Sequence, residues 1–144
     1  MKGYWPPKGY PGAKIGDVTH HIFPLHLDND HWGMAILTRS DGARRLDFYS
    51  SLPGYENDFK KVWPPIARWL TSTAKVDLDL DSLSYDVPPQ PFQNNAVDCG
   101  VFICCEVRWL IEGWPLLTLR KDDIRDLRRR MVAELENWTL SLTE

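Results

Sequence analysis

The chain has 144 residues, of which 43% are hydrophobic, 12% aromatic and 26% charged. This composition supplies enough apolar side chains for one packed domain and excludes an intrinsically disordered chain. A formal net charge of −3 disfavours a dedicated nucleic-acid-binding domain. No run approaches the roughly 18 apolar residues of a membrane span, so we expect no membrane association. Three closely spaced cysteines, an odd number, predict no disulfide framework and a reducing, intracellular compartment.

The first predicted elements are strands. Ile22–Leu27 and Trp32–Thr38 are short apolar runs with strand character, and Pro24 indicates an edge strand or a bulge. Ser40-Asp41-Gly42 is typical of a turn, so Arg44–Tyr49 is predicted to be the returning strand of a hairpin.

A helix and a further strand are predicted next. From Tyr55 to Lys75, apolar residues recur every three or four positions, which indicates a helix. Pro64-Pro65 is expected to break it, with a new helix beginning at one of the two prolines. Val76–Asp86 alternates apolar with acidic or hydroxyl residues, which predicts a strand with one wet face, and a proline-rich loop, Val87–Val97, follows.

Two helices complete the predicted order. Cys99–Ile111 is apolar nearly all round, which is typical of a buried helix, and Cys104 and Cys105 are expected to be inert core residues within it. The last helix is predicted over Lys121–Trp138, with an apolar stripe along one face. Strands, a hairpin and helices in this order indicate an α+β protein, and we expect a single domain over residues 1–144.

A cysteine at the start of a helix is the main chemical signal. The unpaired N–H groups and the dipole of a helix N-terminus favour a thiolate over a thiol, as a nucleophile requires. Gln93, on the preceding loop, could donate a hydrogen bond to a developing oxyanion, and Gln90 is its less favoured rival. His31 lies at the mouth of a strand, where it could act as the base. We expect the sulfur of Cys99 and the ring of His31 to meet within ~4 Å.

The spacing of these residues resembles that of a known family. Q-x-N-x-x-D-C-G, from Gln93 to Gly100, preceded by His31-Trp32 at the head of a hairpin, strongly resembles the Ulp1/sentrin-specific proteases. These are papain-like cysteine proteases that process SUMO and related ubiquitin-like modifiers. The resemblance extends from about Ile22 to about Glu136.

The resemblance implies a fold, an activity and a role for each matching residue. The fold would be papain-like, with a central mixed or antiparallel sheet packed by helices and the nucleophile at the N-terminus of a buried helix. The activity would be hydrolysis of the peptide or isopeptide bond after the modifier's Gly-Gly, SUMO being favoured over NEDD8 or ubiquitin. Cys99 would be the nucleophile, His31 its base and acid, and Gln93 the oxyanion donor. Trp32 would wall the tunnel for the Gly-Gly tail. No cofactor or metal is implied, and we expect a monomer of the nucleus or cytoplasm.

The residue that orients the histidine departs from the family pattern. The family places an acid in a D-S-L string at the end of the second hairpin strand, where this chain reads Ser50-Ser51-Leu52. Asp47 lies three residues earlier. Side chains alternate across a strand, so only Asp47 or Ser50 can point at His31 unless a bulge intervenes. Chemistry favours Asp47, because a carboxylate stabilises an imidazolium. The string favours Ser50.

A second departure lies at the front of the chain, where the helices that usually precede this region in the family are expected to be missing. Two alternatives remain, and Ser50 motivates the first of them. One is a catalytically weakened or inactive module that binds ubiquitin-like modifiers, and the other is an adenovirus-proteinase-like enzyme with different substrates. A zinc site built from histidines and cysteines lacks the spacing of metal ligands.

Overall fold

A sheet of four strands and three α-helices form the part of the chain that the computed structural model describes, residues 18–40, 43–79 and 83–141. The strands are β1 (His20–Leu27), β2 (His31–Ser40), β3 (Ala43–Tyr49) and β4 (Tyr85–Asp86). The helices are α1 (Glu56–Ser72), α2 (Cys99–Glu112) and α3 (Ile124–Ser141), with 3₁₀ turns at Leu116–Thr118 and Lys121–Asp123. The tip of the predicted turn, Asp41-Gly42, lies outside the described residues.

The strands lie in the order β1-β2-β3-β4. The first three form an antiparallel meander, and β4 pairs in parallel with β3 through two residues. Pro24 lies on β1, the edge strand, as predicted. Leu27 pairs with His31 across a tight turn in which Asp28 and Asn29 have φ of 47° and 60°. This turn fixes His31 at the start of β2.

Helices cover both faces of the sheet. The face carrying Ala35 and Leu37 packs against the apolar stripe of α1. The face carrying Met34 and Ile36 packs against Ile103 of α2. Because side chains alternate along β2, His31 belongs to the α1 face. The predicted α+β architecture with a mixed sheet is confirmed.

Helix α1 runs unbroken through Pro64 and Pro65, so the predicted break was wrong. Both prolines lie on the exposed face, as do Lys60 and Lys61, whose carbonyls lose their partners four residues on. On the opposite face, one apolar stripe continues across the prolines and packs on the sheet. Its members are Phe59, Trp63, Ala67 and Leu70. Burial of this stripe outweighs the cost of the two missing hydrogen bonds.

The predicted strand Val76–Asp86 is paired only at β4. Val76 and Leu78 are nevertheless buried while Asp77 is exposed, so the alternation correctly indicated burial. A side chain contacts the backbone of residues 76–78 where no strand pairs with it: Nε of Arg44 donates to the carbonyl of Asp77 at 2.5 Å. Residues 80–82 of this segment lie outside the described part.

Helices α2 and α3 begin and end close to the predicted residues. The start of α2 at Cys99 is confirmed, whereas the first three residues predicted for α3 form a 3₁₀ turn. Cys105 is buried as predicted, but Cys104 is exposed, because α2 packs against the sheet and against α3 and Cys104 belongs to neither apolar cluster. In the described residues, no helix combines the length and apolar character needed to cross a bilayer.

Gly33 generates a prediction about the support of β2. A Cβ there would lie 2.7 Å from Cδ1 of Leu27 and 3.2 Å from the carbonyl oxygen of Tyr49. We expect Gly33→Ala to lower the free energy of unfolding by about 1–3 kcal/mol, as overpacking does. In the control Gly100→Ala, the Cβ meets no atom of the described residues within 4 Å outside its own helix, and stability should stay equal or rise by up to about 1 kcal/mol. Urea unfolding measures both, and equal effects would contradict the prediction.

Glu106 is a fully buried carboxyl on α2, and neither of its oxygens has a hydrogen-bond partner among the described residues. Burial raises its pKa from 4.5 to about 8. Between these values the folded protein holds a proton that the unfolded chain releases. The free energy of unfolding therefore falls as pH rises through this window.

We accordingly expect Glu106→Met to stabilise the protein most at alkaline pH. The gain should be about 1–3 kcal/mol at pH 8, because an unpaired buried polar group is removed, and it should shrink toward pH 5. Urea unfolding at both pH values measures it. Glu112→Met, at the exposed end of the same helix, is the control and should change stability by less than about 0.5 kcal/mol. A gain independent of pH would show that Glu106 does not titrate in this range.

Candidate active site

Cys99 is the first residue of α2 and is 7% exposed. The preceding residue, Asp98, is the N-cap, but its side chain makes no hydrogen bond to the first turn of the helix. The backbone N–H groups of that turn are therefore not capped by Asp98 and lie beside the thiol. Such groups can donate to an anion that forms there.

His31 is almost fully buried, with 1% of its surface exposed. Its Nε2 lies 2.9 Å from Oγ of Ser50. The ring stacks on that of Tyr55, with centroids 4.2 Å apart and planes 29° apart. Burial lowers the pKa of His31, and the nearby carboxylate of Asp30 opposes this shift. The imidazole is therefore held along one edge and one face.

Hydrogen bonding around Ser50 defines which ring nitrogen of His31 can take a proton. The hydroxyl has a single hydrogen, which it donates to the carbonyl of Leu52 at 2.6 Å. Its oxygen must therefore accept from Nε2–H of His31. In the neutral ring the lone pair then lies on Nδ1, so Nδ1 is the nitrogen that can take a proton. The backbone N–H of Ser50 donates to Oε1 of Gln90 at 2.7 Å, which fixes the serine from the other side.

Asp47 does not contact His31, so the structure corrects this sequence-based choice. Its carboxylate pairs with the guanidinium of Arg45 at 2.7 Å and lines a cavity of about 460 Å³ on the α2 face of the sheet. His31 belongs to the opposite, α1 face. Side chains alternate along β3, so Asp47 and Ser50 point to opposite faces of the sheet. Ser50 contacts the imidazole, as its position in the family's D-S-L string indicated.

Gln93 is joined to the histidine side of the site through the neighbouring serine. Oγ of Ser51 donates to Oε1 of Gln93 at 2.5 Å, and N–H of Gln93 donates to the carbonyl of Ser51 at 2.9 Å. Nε2 of Gln93 donates one hydrogen to the carbonyl of Asn95 at 2.5 Å. An amide nitrogen carries two hydrogens, so the second can serve an oxyanion.

The loop from Gln93 to Cys99 is tied together by Asn95. Oδ1 of Asn95 accepts from N–H of Val97 at 2.9 Å and of Asp98 at 3.1 Å, while Nδ2 donates to the Asp98 carboxylate at 2.6 Å. Arg128 of α3 also pairs with that carboxylate. These bonds, from Asn95 first and then from Arg128, lower the pKa of Asp98.

His31, Gln93 and Cys99 thus lie along one chain of hydrogen bonds and adjacent residues. It passes from His31 to Ser50, then through Ser51 and Gln93 to Asn95, and through Asp98 to the first residue of α2. The approach of the Cys99 sulfur to the His31 ring stays a prediction. Sequence reasoning missed the supporting contacts of Tyr55, Gln90 and Arg128.

Exposed apolar side chains flank the three site residues. Trp32, next to His31, is 43% exposed, and its ring packs on that of His26 with centroids 4.9 Å apart. Phe92 precedes Gln93, and Val97 lies two residues before Cys99; both are exposed. Large exposed apolar side chains around a polar site are typical of a surface that binds a polypeptide.

The described residues offer no group of three or more His, Cys, Asp or Glu side chains placed to hold a metal ion.

Comparison with known proteins identifies the family. Residues 5–140 match the C-terminal catalytic domain of the Ulp1 protease family. Ubiquitin-like-specific protease 1 of Saccharomyces cerevisiae is 24% identical over 140 residues, covering 89% of this chain and 21% of that protein. The sentrin-specific protease of Caenorhabditis elegans is 27% identical over 149 residues, covering 94% and 20%. The chain therefore spans about a fifth of the length of these relatives.

Solved structures agree on the fold. The C-terminal Ulp1 protease domain in complex with Smt3, the yeast ortholog of SUMO, matches with a TM-score of 0.66 at 19% identity, covering 81% of this chain and 52% of that one. A de-sumoylating protease matches with a TM-score of 0.65 at 16% identity, covering 92% and 61%. The predicted papain-like fold is thereby confirmed. Because the family match covers nearly the whole sequence, the chain belongs to the Ulp1 protease family.

Proposed function

We propose that the chain is a cysteine protease that hydrolyses the peptide or isopeptide bond after the C-terminal Gly-Gly of a ubiquitin-like modifier. One observation supports this most: the hydrogen-bonded chain that leads from His31 through Ser50, Ser51 and Gln93 to the start of α2. It links an imidazole to a side-chain amide and leads to the residue that carries a thiol, and a base, an amide donor and a thiol are the set that thiol hydrolysis requires.

The first half of the reaction forms an acyl-enzyme. Nδ1 of His31 takes the proton of the Cys99 thiol, and the sulfur attacks the carbonyl carbon of the second glycine. The resulting oxyanion accepts hydrogen bonds from the N–H of Cys99 and the second hydrogen on Nε2 of Gln93. As the C–N bond breaks, the His31 imidazolium gives its proton to the leaving amine, and a thioester remains.

Hydrolysis completes the cycle. Nδ1 of His31 takes a proton from a water molecule as the water oxygen attacks the thioester carbonyl. The same two donors hold the second oxyanion. The C–S bond then breaks, the modifier leaves with a free carboxyl terminus, and the imidazolium returns its proton to the sulfur of Cys99.

SUMO is the modifier we favour, with NEDD8 and ubiquitin as alternatives. The support is the likeness to the Ulp1 domain solved with Smt3, together with the exposed ring of Trp32 beside His31. In this proposal Trp32 walls a narrow passage in which only glycines fit, because they lack a Cβ. The enzyme works as a monomer in the nucleus or cytoplasm, where its free cysteines stay reduced.

A weakened or inactive modifier-binding module is the second candidate, and Ser50 is the observation that favours it. A hydroxyl at Nε2 accepts a hydrogen bond but carries no charge to stabilise an imidazolium. This candidate predicts that the chain binds a modifier without hydrolysing its conjugates.

Covalent probes test the assignment of the nucleophile. We expect SUMO with a C-terminal propargyl group to label Cys99, because the sulfur attacks the carbon that replaces the scissile carbonyl. Mass spectrometry locates the adduct. Cys99→Ser should abolish labelling, whereas Cys104→Ser, which alters an exposed cysteine of the same helix, should leave it unchanged. For turnover, Gln93→Ala should lower kcat about 10²- to 10³-fold. A folded sample labelled by none of the SUMO, NEDD8 and ubiquitin probes would refute the proposed function.

Exchange of the histidine's partner gives a second prediction. Ser50→Asp places a carboxylate at Nε2 of His31 and should raise kcat/KM about 10- to 100-fold, because an adjacent opposite charge favours the imidazolium by about one to two pKa units. It should also move the alkaline limb of the pH profile upward, because the imidazolium persists to higher pH. Cleavage of a SUMO fusion across pH measures both changes.

Asp47→Asn is the matched control for this exchange, and it should leave the pH profile unchanged because Asp47 lies on the other face of the sheet. Loss of activity in Asp47→Asn combined with no effect of Ser50→Ala would reverse the assignment.

A further inference from the structure

Tyr55 precedes α1 at a position where a side chain usually caps the helix, but its own side chain does not. It is the N-cap of α1, and it makes no side-chain capping hydrogen bond. Ser, Thr, Asp or Asn is preferred there, and their loss typically weakens a helix. A residue that departs from local preference in this way is commonly placed by a requirement elsewhere in the molecule.

The side chain of Tyr55 is directed at the candidate base. Its ring lies 4.2 Å from that of His31, centroid to centroid, with the planes 29° apart. Its hydroxyl donates to Oδ1 of Asp30 at 3.2 Å, and Phe59 N–H donates to its carbonyl at 3.0 Å. Tyr55 is therefore anchored at both ends, to the turn before β2 and to the first turn of α1.

The stacking of Tyr55 on His31 can stabilise a positive charge on the imidazole, which Ser50 cannot do. The hydroxyl of Ser50 fixes the edge of the imidazole but carries no charge. The face of an aromatic ring is electron-rich and attracts a cation placed over it, more strongly where water is excluded. His31 is buried, so its protonated form would meet this face in a site of low water content.

We propose that Tyr55 is a positioning residue for His31 that takes over part of the task of the missing carboxylate. Its ring holds the imidazole plane against Ser50 and stabilises the imidazolium formed when Nδ1 takes the thiol proton. This inference rests on the proposed function, since it assigns Tyr55 a part in the same proton transfer.

The other groups around His31 have separate parts. Asp30, beside it in the turn, is the nearby carboxylate, and its charge favours the imidazolium. Tyr55 keeps that carboxylate in place through its hydroxyl, whose pKa is raised by burial and then by Asp30, so that it remains a donor. Ser50 is neutral, and Cys99 supplies the proton. Tyr55→Phe therefore removes the hydroxyl alone, and Tyr55→Leu removes the hydroxyl and the ring, so their difference reports the ring.

The experiment measures the rate at which iodoacetamide alkylates Cys99 across pH. An isolated thiol is alkylated only as the pH approaches its pKa. A plateau of the alkylation rate at lower pH reports the thiolate–imidazolium pair. Tyr55→Leu removes the ring and should lower this plateau about 2- to 30-fold. Tyr55→Phe keeps the ring and should stay within about 3-fold of the wild type. Nuclear magnetic resonance of the His31 ring nitrogens should show the imidazolium giving up its proton at lower pH in Tyr55→Leu.

Two controls separate positioning from a general loss of structure. Trp69→Leu truncates a half-exposed aromatic residue fourteen positions further along α1 and should leave the profile unchanged. Ser50→Asp combined with Tyr55→Leu should restore the plateau, because a carboxylate supplies the charge that the ring no longer supplies. Circular dichroism checks folding, and if Tyr55→Leu unfolds, Tyr55→Met takes its place.

The outcomes are distinct. The proposal is supported if the alkylation plateau falls in Tyr55→Leu and persists in Tyr55→Phe. The plateau should also return when Ser50→Asp is added to Tyr55→Leu. Equal plateaus in Tyr55→Leu and the wild type overturn it, as does equal loss in Leu and Phe. Alkylation needs no modifier, so a positive result with unreactive modifier probes would refute the proposed function and leave the role of Tyr55 standing.

Discussion

The candidate site depends on one hydroxyl group, that of Ser50. Its hydrogen goes to the carbonyl of Leu52 and its oxygen accepts from Nε2 of His31, so its single proton decides the tautomer of the imidazole. A carboxylate at this position would also leave Nδ1 as the base, but it would add a charge. The serine therefore fixes the imidazole without adding a charge beside it.

Two neighbouring serines connect the sheet to the loop before α2. Ser50 contacts the histidine of the sheet, and Ser51 contacts the glutamine of the loop before α2. The same short segment receives support from Gln90 and continues within a few residues to Tyr55 at the start of α1. Residues 50–55 thus connect sheet, loop and helix, and a change there would reach His31 and Gln93 together.

Much of the fold could be predicted because its signals are local. The start of α2 at Cys99, the hairpin strands and the edge position of Pro24 follow from apolar periodicity and turn chemistry. Alternation also predicted that only one of Asp47 and Ser50 would face His31. It could not select between them, since that choice depends on the register of β3 against β2. The stacking of Tyr55 and the pairing of Arg128 with Asp98 join distant segments, so no local pattern could show them. Likewise, the exposure of Cys104, which lies outside the apolar clusters that α2 forms with the sheet and with α3, is a property of the packed molecule.

The two prolines of α1 have a consequence for the order of folding. An isolated segment with Pro64 and Pro65 in its middle has almost no tendency to form a helix in water. We therefore expect α1 to gain its structure only when the meander β1–β3 is already present to receive its apolar stripe. Tyr55 begins this helix, so the ring that covers His31 would reach its place late. A nascent chain would then complete the hairpin that carries His31 before the ring of Tyr55 stacks on the imidazole.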